Sequence, residues 1–276
     1  MKIDIYNIRA LTNMHVGSGD VNFDIIDNQV QRDVVSKFPT INSSSLKGAL
    51  REHFDSKEGF ASVVEIFGGK KEKEKDNITG THRFFSGNLL SYPVRSNKRP
   101  FFRATCPMII EEFISTLDNF SLEYDLKDEL EEFGNLFDES FDESDEEKVL
   151  VFEESLDGAV IEDKEAEYND FSEVKALEGL FGENIVLYSN EDFKDLMDEL
   201  PVIARNKLEN GESKNLWYEE VVARESRFYC VIIDSSKNDN NDFEKALESD
   251  IIQIGANASI GYGYTKFNKI VGGSNG

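Results

Sequence analysis

The feature that most limits how this 276-residue chain can fold is the segregation of its charge. Residues 111–200 hold 32 Asp and Glu against 5 Lys and Arg, a local net of −27, whereas the remainder holds 23 acids and 25 bases, a net of +2. A stretch this acidic repels itself and any polyanion within a Debye length of about 10 Å. The reading that follows is a core built from the flanking regions. In it residues 118–170 form a peripheral, acidic and largely helical insertion, with short helices such as 127–133 and a solvated run at 138–147. With 39% hydrophobic residues the chain can still bury a core. No apolar run approaches the eighteen or so residues needed to cross a bilayer. The first residues alternate like a strand and show no signal-peptide pattern, so the expectation is a soluble, cytoplasmic protein with no membrane partner. Two cysteines and three histidines exclude a disulfide framework and argue against a histidine-rich metal centre.

Periodicity places the elements. Residues 2–11 alternate and read as a strand. Ser43-Ser44-Ser45 before apolar residues at 46, 49, 50, 53 and 54 reads as a helix start. Residues 81–95 read as one or two strands broken at Gly87, and 106–117 as a helix with Pro107 in its first turn. Further on come a strand at 185–188, a helix at 191–200, strand-rich residues 216–233, a helix near 243–249 and a closing strand at 262–270. Strands and helices mix without regular strand–helix–strand units, which makes the class α+β.

Four segments carry chemistry, and each has an ordinary reading beside the functional one. In the first, His15-Val16-Gly17-Ser18-Gly19 leads to Ile26-Asp27 and Gln31-Arg32-Asp33. Asp27 is either a turn residue or a carboxylate aimed outward by the apolar residues before it, with Asp24 and Asp33 as neighbours of the same type. In the second, Ser43–Ser45 opens a helix carrying Lys47 and Arg51 on one face. That is either a capped helix or a phosphate cradle of backbone N–H groups at a positive dipole end. The third, Gly255-Ala256-Asn257-Ala258-Ser259-Ile260-Gly261-Tyr262-Gly263, is neither a Rossmann fingerprint nor a P-loop. It is either a long turn or a backbone surface that nucleic acid approaches closely. The fourth runs from Leu200-Pro201-Val202-Ile203-Ala204-Arg205-Asn206-Lys207 to Asn215-Leu216-Trp217-Tyr218-Glu219-Glu220-Val221-Val222 and then Arg224-Glu225-Ser226, and reads as a β-hairpin with a polar tip.

In this order the segments resemble the RAMP superfamily, and within it the repeated backbone subunit of Cmr-type (type III-B) CRISPR effector complexes. The resemblance covers roughly residues 1–110 and 185–270 and leaves the acidic middle aside. It implies a ferredoxin-like (RRM-like) palm over 1–117 and 171–276 with a β-hairpin thumb at about 198–226. It implies copies stacked head to tail on a guide RNA beside other subunits of the complex. The implied activity is cleavage of paired target RNA at regular intervals, with a divalent metal such as Mg²⁺ or Mn²⁺. Asp27 falls at the position of the family's catalytic aspartate, with the roles of base, metal ligand and positioning residue all open to it, while His15 and Glu225 are further catalytic candidates. RNA contacts are expected from Arg32, Ser43, Ser44, Ser45, Lys47, Arg51, Arg95, Lys98, Arg99, Arg103, Arg205, Asn206, Lys207, Gly255, Gly261 and Gly263. For each basic residue the alternative is an ordinary solvated face. Two other functions stay open at this stage, a scaffold that binds guide RNA without cutting and a standalone RNA-processing endonuclease of the same superfamily.

Overall fold

The computed structural model describes residues 1–19, 26–70, 77–140, 148–236 and 241–274. The chain divides into two compact units. The first comprises Met1–Asn88, Leu200–Arg224 and Tyr229–Gly276. Its sheet is built on Lys2–Ala10, which pairs antiparallel with Tyr264–Ser274 from Lys2 opposite Ser274 to Ala10 opposite Thr265, with an irregularity between Ile5 and Tyr6. On the other side of Lys2–Ala10 lies Arg227–Asp234, whose residues from Tyr229 onward belong to this unit, and that strand pairs antiparallel with His82–Phe84. Counted along the chain, these four strands stand in the order fourth, first, third, second. A helix follows the first strand and another follows the third, Ser43–Ser56 and Asn241–Ser249. That is the ferredoxin-like arrangement anticipated for the palm. Ile251–Gln253 adds an antiparallel edge strand on Tyr264–Ser274.

The helices bury the residues their periodicity selects. Leu46, Leu50 and Phe54 are buried from Ser43–Ser56, and Phe243 and Leu247 from Asn241–Ser249. Phe54 lies 4.9 Å from Phe243, ring to ring, and Phe67 stacks on Phe84 at 5.1 Å, so an aromatic cluster joins both helices to the sheet.

The second unit comprises Leu89–Glu199 and Glu225–Phe228. Its strands run in the order Asn88–Val94, Phe102–Thr105, Ile185–Leu187, Lys148–Val151, Lys164–Tyr168 and Val160–Ile161. Helices Pro107–Asn119, Lys127–Ser140 and Asn190–Asp198 accompany them, the last capped by Ser189, whose Oγ accepts the Asp192 N–H at 3.0 Å. The acidic stretch is therefore less helical than its composition implies. Among the described residues of 118–170 there are one long helix and three strands, and Leu130, Phe133, Val149, Leu150, Val151, Ile161 and Ala166 are buried. The physical reason is alternation. In Lys164–Tyr168 the apolar Ala166 points inward while Glu165 and Glu167 do not, so a strand with a wet face reads as a charge run. The part of 138–147 beyond Ser140 lies outside the described residues. Among the described residues no helix is long and apolar enough to cross a membrane.

Candidate functional site

In the first unit a two-stranded hairpin, Val202–Glu209 with Glu212–Glu220, turns at Asn210 and Gly211. Both turn residues have positive φ, +54° and +84°, as a tight Asn-Gly hairpin turn requires. Residues 26–30 lie alongside the base of the second strand. The Asn28 N–H donates to the Tyr218 carbonyl at 3.1 Å, the Glu220 N–H donates to the Asn28 carbonyl at 2.9 Å, and the Tyr218 N–H donates to Asp27 Oδ2 at 2.8 Å. Asp27 is exposed. One carboxylate oxygen is thus anchored on the hairpin backbone and the residue faces solvent. Its anchor is a backbone N–H 191 positions away in sequence. Asp24 lies outside the described residues. Asp33 instead closes its own turn, accepting the N–H groups of Val35 and Ser36 at 2.9 Å.

Two buried carboxylates, Glu219 and Glu220, hold this base together. Glu220 accepts the Val30 N–H at 2.9 Å and Arg32 Nη2 at 2.7 Å. Glu219 accepts Arg205 Nε at 3.0 Å and Asn257 Nδ2 at 2.8 Å. His15 Nδ1 is 2.7 Å from the Glu220 carbonyl. A carbonyl only accepts, so Nδ1 carries a proton, which turns Nε2 toward Glu219 Oε1 at 3.9 Å. His15 is 5% exposed. Its ring serves the hairpin base and is shielded from a leaving oxygen, so its predicted catalytic role gives way to a positioning one.

The glycine-rich loop meets the same cluster. Gly255, Gly261 and Gly263 all have positive φ. A Cβ at Gly255 would stand 2.4 Å from the His15 carbonyl, and one at Gly263 would stand 2.0 Å from the Ile254 carbonyl. Glycine is demanded there by protein packing rather than by close approach of RNA. Gly261, with nothing within 4 Å of its Cβ position, is the one of the three that stays open.

Several predicted RNA contacts are spoken for inside the protein. The Arg205 guanidinium pairs with Glu219 and lies 4.5 Å from the Tyr262 ring centroid. Arg51 Nη1 donates to the Gly68 carbonyl at 2.9 Å, which parts it from Lys47 although both lie on one helix. Lys47 makes no ion pair among the described residues. Ser43 and Ser44 are exposed, no side chain caps their helix, and Ser45 Oγ accepts from Gln31 at 3.5 Å. The Ser43 N–H already donates to Ser86 Oγ at 3.2 Å, which leaves the N–H groups of Ser44 and Ser45 at that helix start, one turn from Lys47. On the hairpin, Asn206 accepts from Ser213 at 2.8 Å, Lys207 pairs with Glu209 at 3.0 Å, and both are exposed.

In the second unit, Arg103 and Glu225 form a buried pair at 2.7 Å, and Arg103 also donates to the Glu183 carbonyl. Glu225 is 8% exposed and holds φ +77°. Neither the carboxylate nor the guanidinium is available to RNA, so Glu225 is a structural residue, not a catalytic one, and Arg103 drops from the contact set. Arg95 is bidentate to Glu162, Arg99 pairs with Glu153 and Asn184, and Lys98 is exposed.

Sequence reading missed Glu219, Glu220, Asn257 and the backbone of Tyr218. The available signal was two adjacent acids ending an aromatic strand, where at least one must face inward. Among the described residues no group of three or more His, Cys, Asp or Glu could hold a metal ion. Asp27 alone suits Mg²⁺, which takes one or two protein carboxylates and completes its shell with phosphate oxygens and water.

A four-stranded palm in ferredoxin-like order, a two-stranded hairpin and a glycine-rich loop packed at its base define the class of this fold. The chain belongs to the RAMP superfamily, whose model matches residues 7–266. It is 28% identical over 287 residues to the CRISPR system Cmr endoribonuclease Cmr4 of Pyrococcus furiosus, covering 96% of this chain and 95% of that protein. In fold it is similar to a chain of type III-B Cmr-beta bound to cognate target RNA, with a TM-score of 0.79, 19% identity and 97% of each chain covered. It is also similar to oligomeric Cmr4 from Pyrococcus furiosus, with a TM-score of 0.68, 22% identity, and 98% and 99% covered.

Proposed function

We propose that this chain is the repeated backbone subunit of a type III-B CRISPR effector, in which several copies bind one guide RNA and cut complementary target RNA at regular intervals. Its partners are guide RNA, target RNA, further copies of itself and the other subunits of a Cmr complex in the cytoplasm. One observation carries the reading. The exposed carboxylate of Asp27 is fixed to the base of the hairpin by a backbone N–H, so an RNA strand parted by the hairpin meets a positioned acid where its backbone bends.

The chemistry needs little from the protein. RNA carries its own nucleophile, and in-line attack by the 2′-oxygen on the phosphorus expels the 5′-oxygen. The products are a 2′,3′-cyclic phosphate and a 5′-hydroxyl. One proton leaves the 2′-OH and one reaches the departing oxygen. Asp27 orients the 2′-OH and accepts its proton or passes it to water, and fixing the in-line geometry is the larger contribution. Asp27 is the residue that would hold a divalent ion, which would supply charge neutralisation at the scissile phosphate when bound. Ser43, Ser44, Ser45 and Lys47 bind guide phosphates at the helix start, with Asn206, Lys207, Gly261, Arg95 and Lys98 as secondary contacts.

The test is a complex assembled with guide RNA, partner subunits and end-labelled complementary target in Mg²⁺. The expected result is a ladder of evenly spaced cuts, lost on Asp27→Ala with assembly intact and lost in EDTA. A stable complex that leaves the target whole would make the chain a scaffold. Cleavage of precursor RNA by the free chain in EDTA would make it a processing enzyme.

A further inference from the structure

The hairpin has two unlike faces. In an antiparallel pair, residues directly opposite one another share a face. Arg205 and Glu219 point toward the glycine-rich loop and are bound there. The opposite face is formed where Ala204 pairs with Tyr218 and Asn206 pairs with Leu216, and it is closed at its base where Val202 pairs with the buried Glu220. On it Leu216 is 55% exposed, Val202 42% and Tyr218 40%, and Ala204 is exposed as well. The small Ala204 side chain opposite Tyr218 leaves that residue partly exposed. Tyr218 has no hydrogen-bond partner for its hydroxyl among the described residues. An aromatic side chain left open beside aliphatic ones is the composition of a surface for a flat, partly apolar ligand.

Position decides which ligand. The main chain of Tyr218 is the group that holds Asp27, donating its N–H to Oδ2 at 2.8 Å while its carbonyl takes the Asn28 N–H. The residue that anchors the carboxylate is thus the same one that carries the aromatic ring. A nucleotide whose sugar and phosphate lie at Asp27 carries its base within reach of this ring. A base taken out of its duplex stacks on any aromatic face, independently of sequence.

We propose that Tyr218, supported by Leu216, is a positioning residue on which the base next to the cut phosphate stacks, so that the 2′-oxygen is held in line for attack. This rests on the reading that Asp27 is the cleavage site and adds to it a base-binding platform and a consequence. Cleavage at each position depends on the presence of that one base and not on its pairing. Substitutions at Tyr218 leave the Asp27 anchor in place, because the anchor is a backbone N–H.

The experiment uses the assembled complex with saturating target under single-turnover conditions. Two targets carry one abasic nucleotide immediately 5′ or 3′ of a mapped cut. With the wild-type subunit, one of them should slow that cut by about tenfold and spare the others. Tyr218→Ala should slow cutting of the intact target by a similar factor and show no further loss with the abasic target. Tyr218→Phe should behave as wild type, and Tyr218→Leu, which keeps bulk without a π face, as Tyr218→Ala. The idea is sunk if neither abasic target is slowed, or if the abasic penalty persists undiminished in Tyr218→Ala and Tyr218→Leu. Loss of all cutting by the wild-type complex would instead overturn the nuclease reading itself, together with this one.

Discussion

Single side chains in this protein are best judged by what they are bound to. Glu219 is buried and joins Arg205 and Asn257, so Glu219→Ala strands a half-buried guanidinium. The expected cost is about 2 kcal/mol, read as a lower urea midpoint with an unchanged slope. An unchanged midpoint would show that the cluster adds nothing to stability. His82 gives a pH signature. Burial beside Phe84 and Phe243 holds its imidazole below the usual 6.5, against the pull of Asp234. A histidine depressed in the folded state contributes stability in full above the unfolded value near 6.5 and loses it as pH falls through the folded one. The melting temperature should therefore drop between pH 7 and the folded pKa, and His82→Gln should drop less over the same interval. Parallel pH profiles of the two proteins would refute the argument. The charged residues also show where sequence reading stopped. Asp27 was legible because its neighbours formed a motif. Arg51, Arg103, Arg205 and Glu225 were misjudged because a cation or acid in a string of letters carries no sign of its partner.

At the scale of elements, the long strands and helices followed from periodicity, since Lys2–Ala10, Ser43–Ser56 and Pro107–Asn119 each alternate or repeat cleanly. The glycine-rich loop did not. Its three glycines look alike in sequence and differ in structure. Gly263→Ala must displace the Ile254 carbonyl at positive φ, whereas Gly261→Ala meets open space at a similar φ. The first should cost about 3 kcal/mol and the second about 1 kcal/mol, measured as urea midpoints of the two variants. Equal losses would mean the loop rearranges freely. The hairpin was recognised as a pair of strands, but its division into a bound face and an open face depends on register. That register places Tyr218 opposite Ala204.

For the molecule as a whole, the charge imbalance sets the response to salt. A net of −27 over residues 111–200 makes the free chain resist compaction at low ionic strength. Raising monovalent salt from low to moderate concentration should increase its melting temperature by screening that repulsion. The same salt should weaken guide binding, since contacts to phosphate release counterions. Melting and RNA binding therefore move in opposite directions over one titration. A melting temperature that falls with salt would indicate that the acids are mostly neutralised by partners. Among the described residues of this stretch, acids such as Asp118 and Glu167 pair with Lys127 and Lys148.

The sequence alone determined most of the secondary elements outside the acidic stretch, the α+β class and the kinship to RAMP proteins. Each is written in local spacing, and local spacing sets which residues a helix or strand can bury. It also singled out Asp27. Tertiary structure alone decided which charges are free, which glycines are packed, and that a backbone N–H from Tyr218 anchors the Asp27 carboxylate. Those outcomes depend on groups as far apart as His15 and Gly255 meeting in space. The free energy of a charge or a Cβ is set by that meeting and not by its neighbours in the chain.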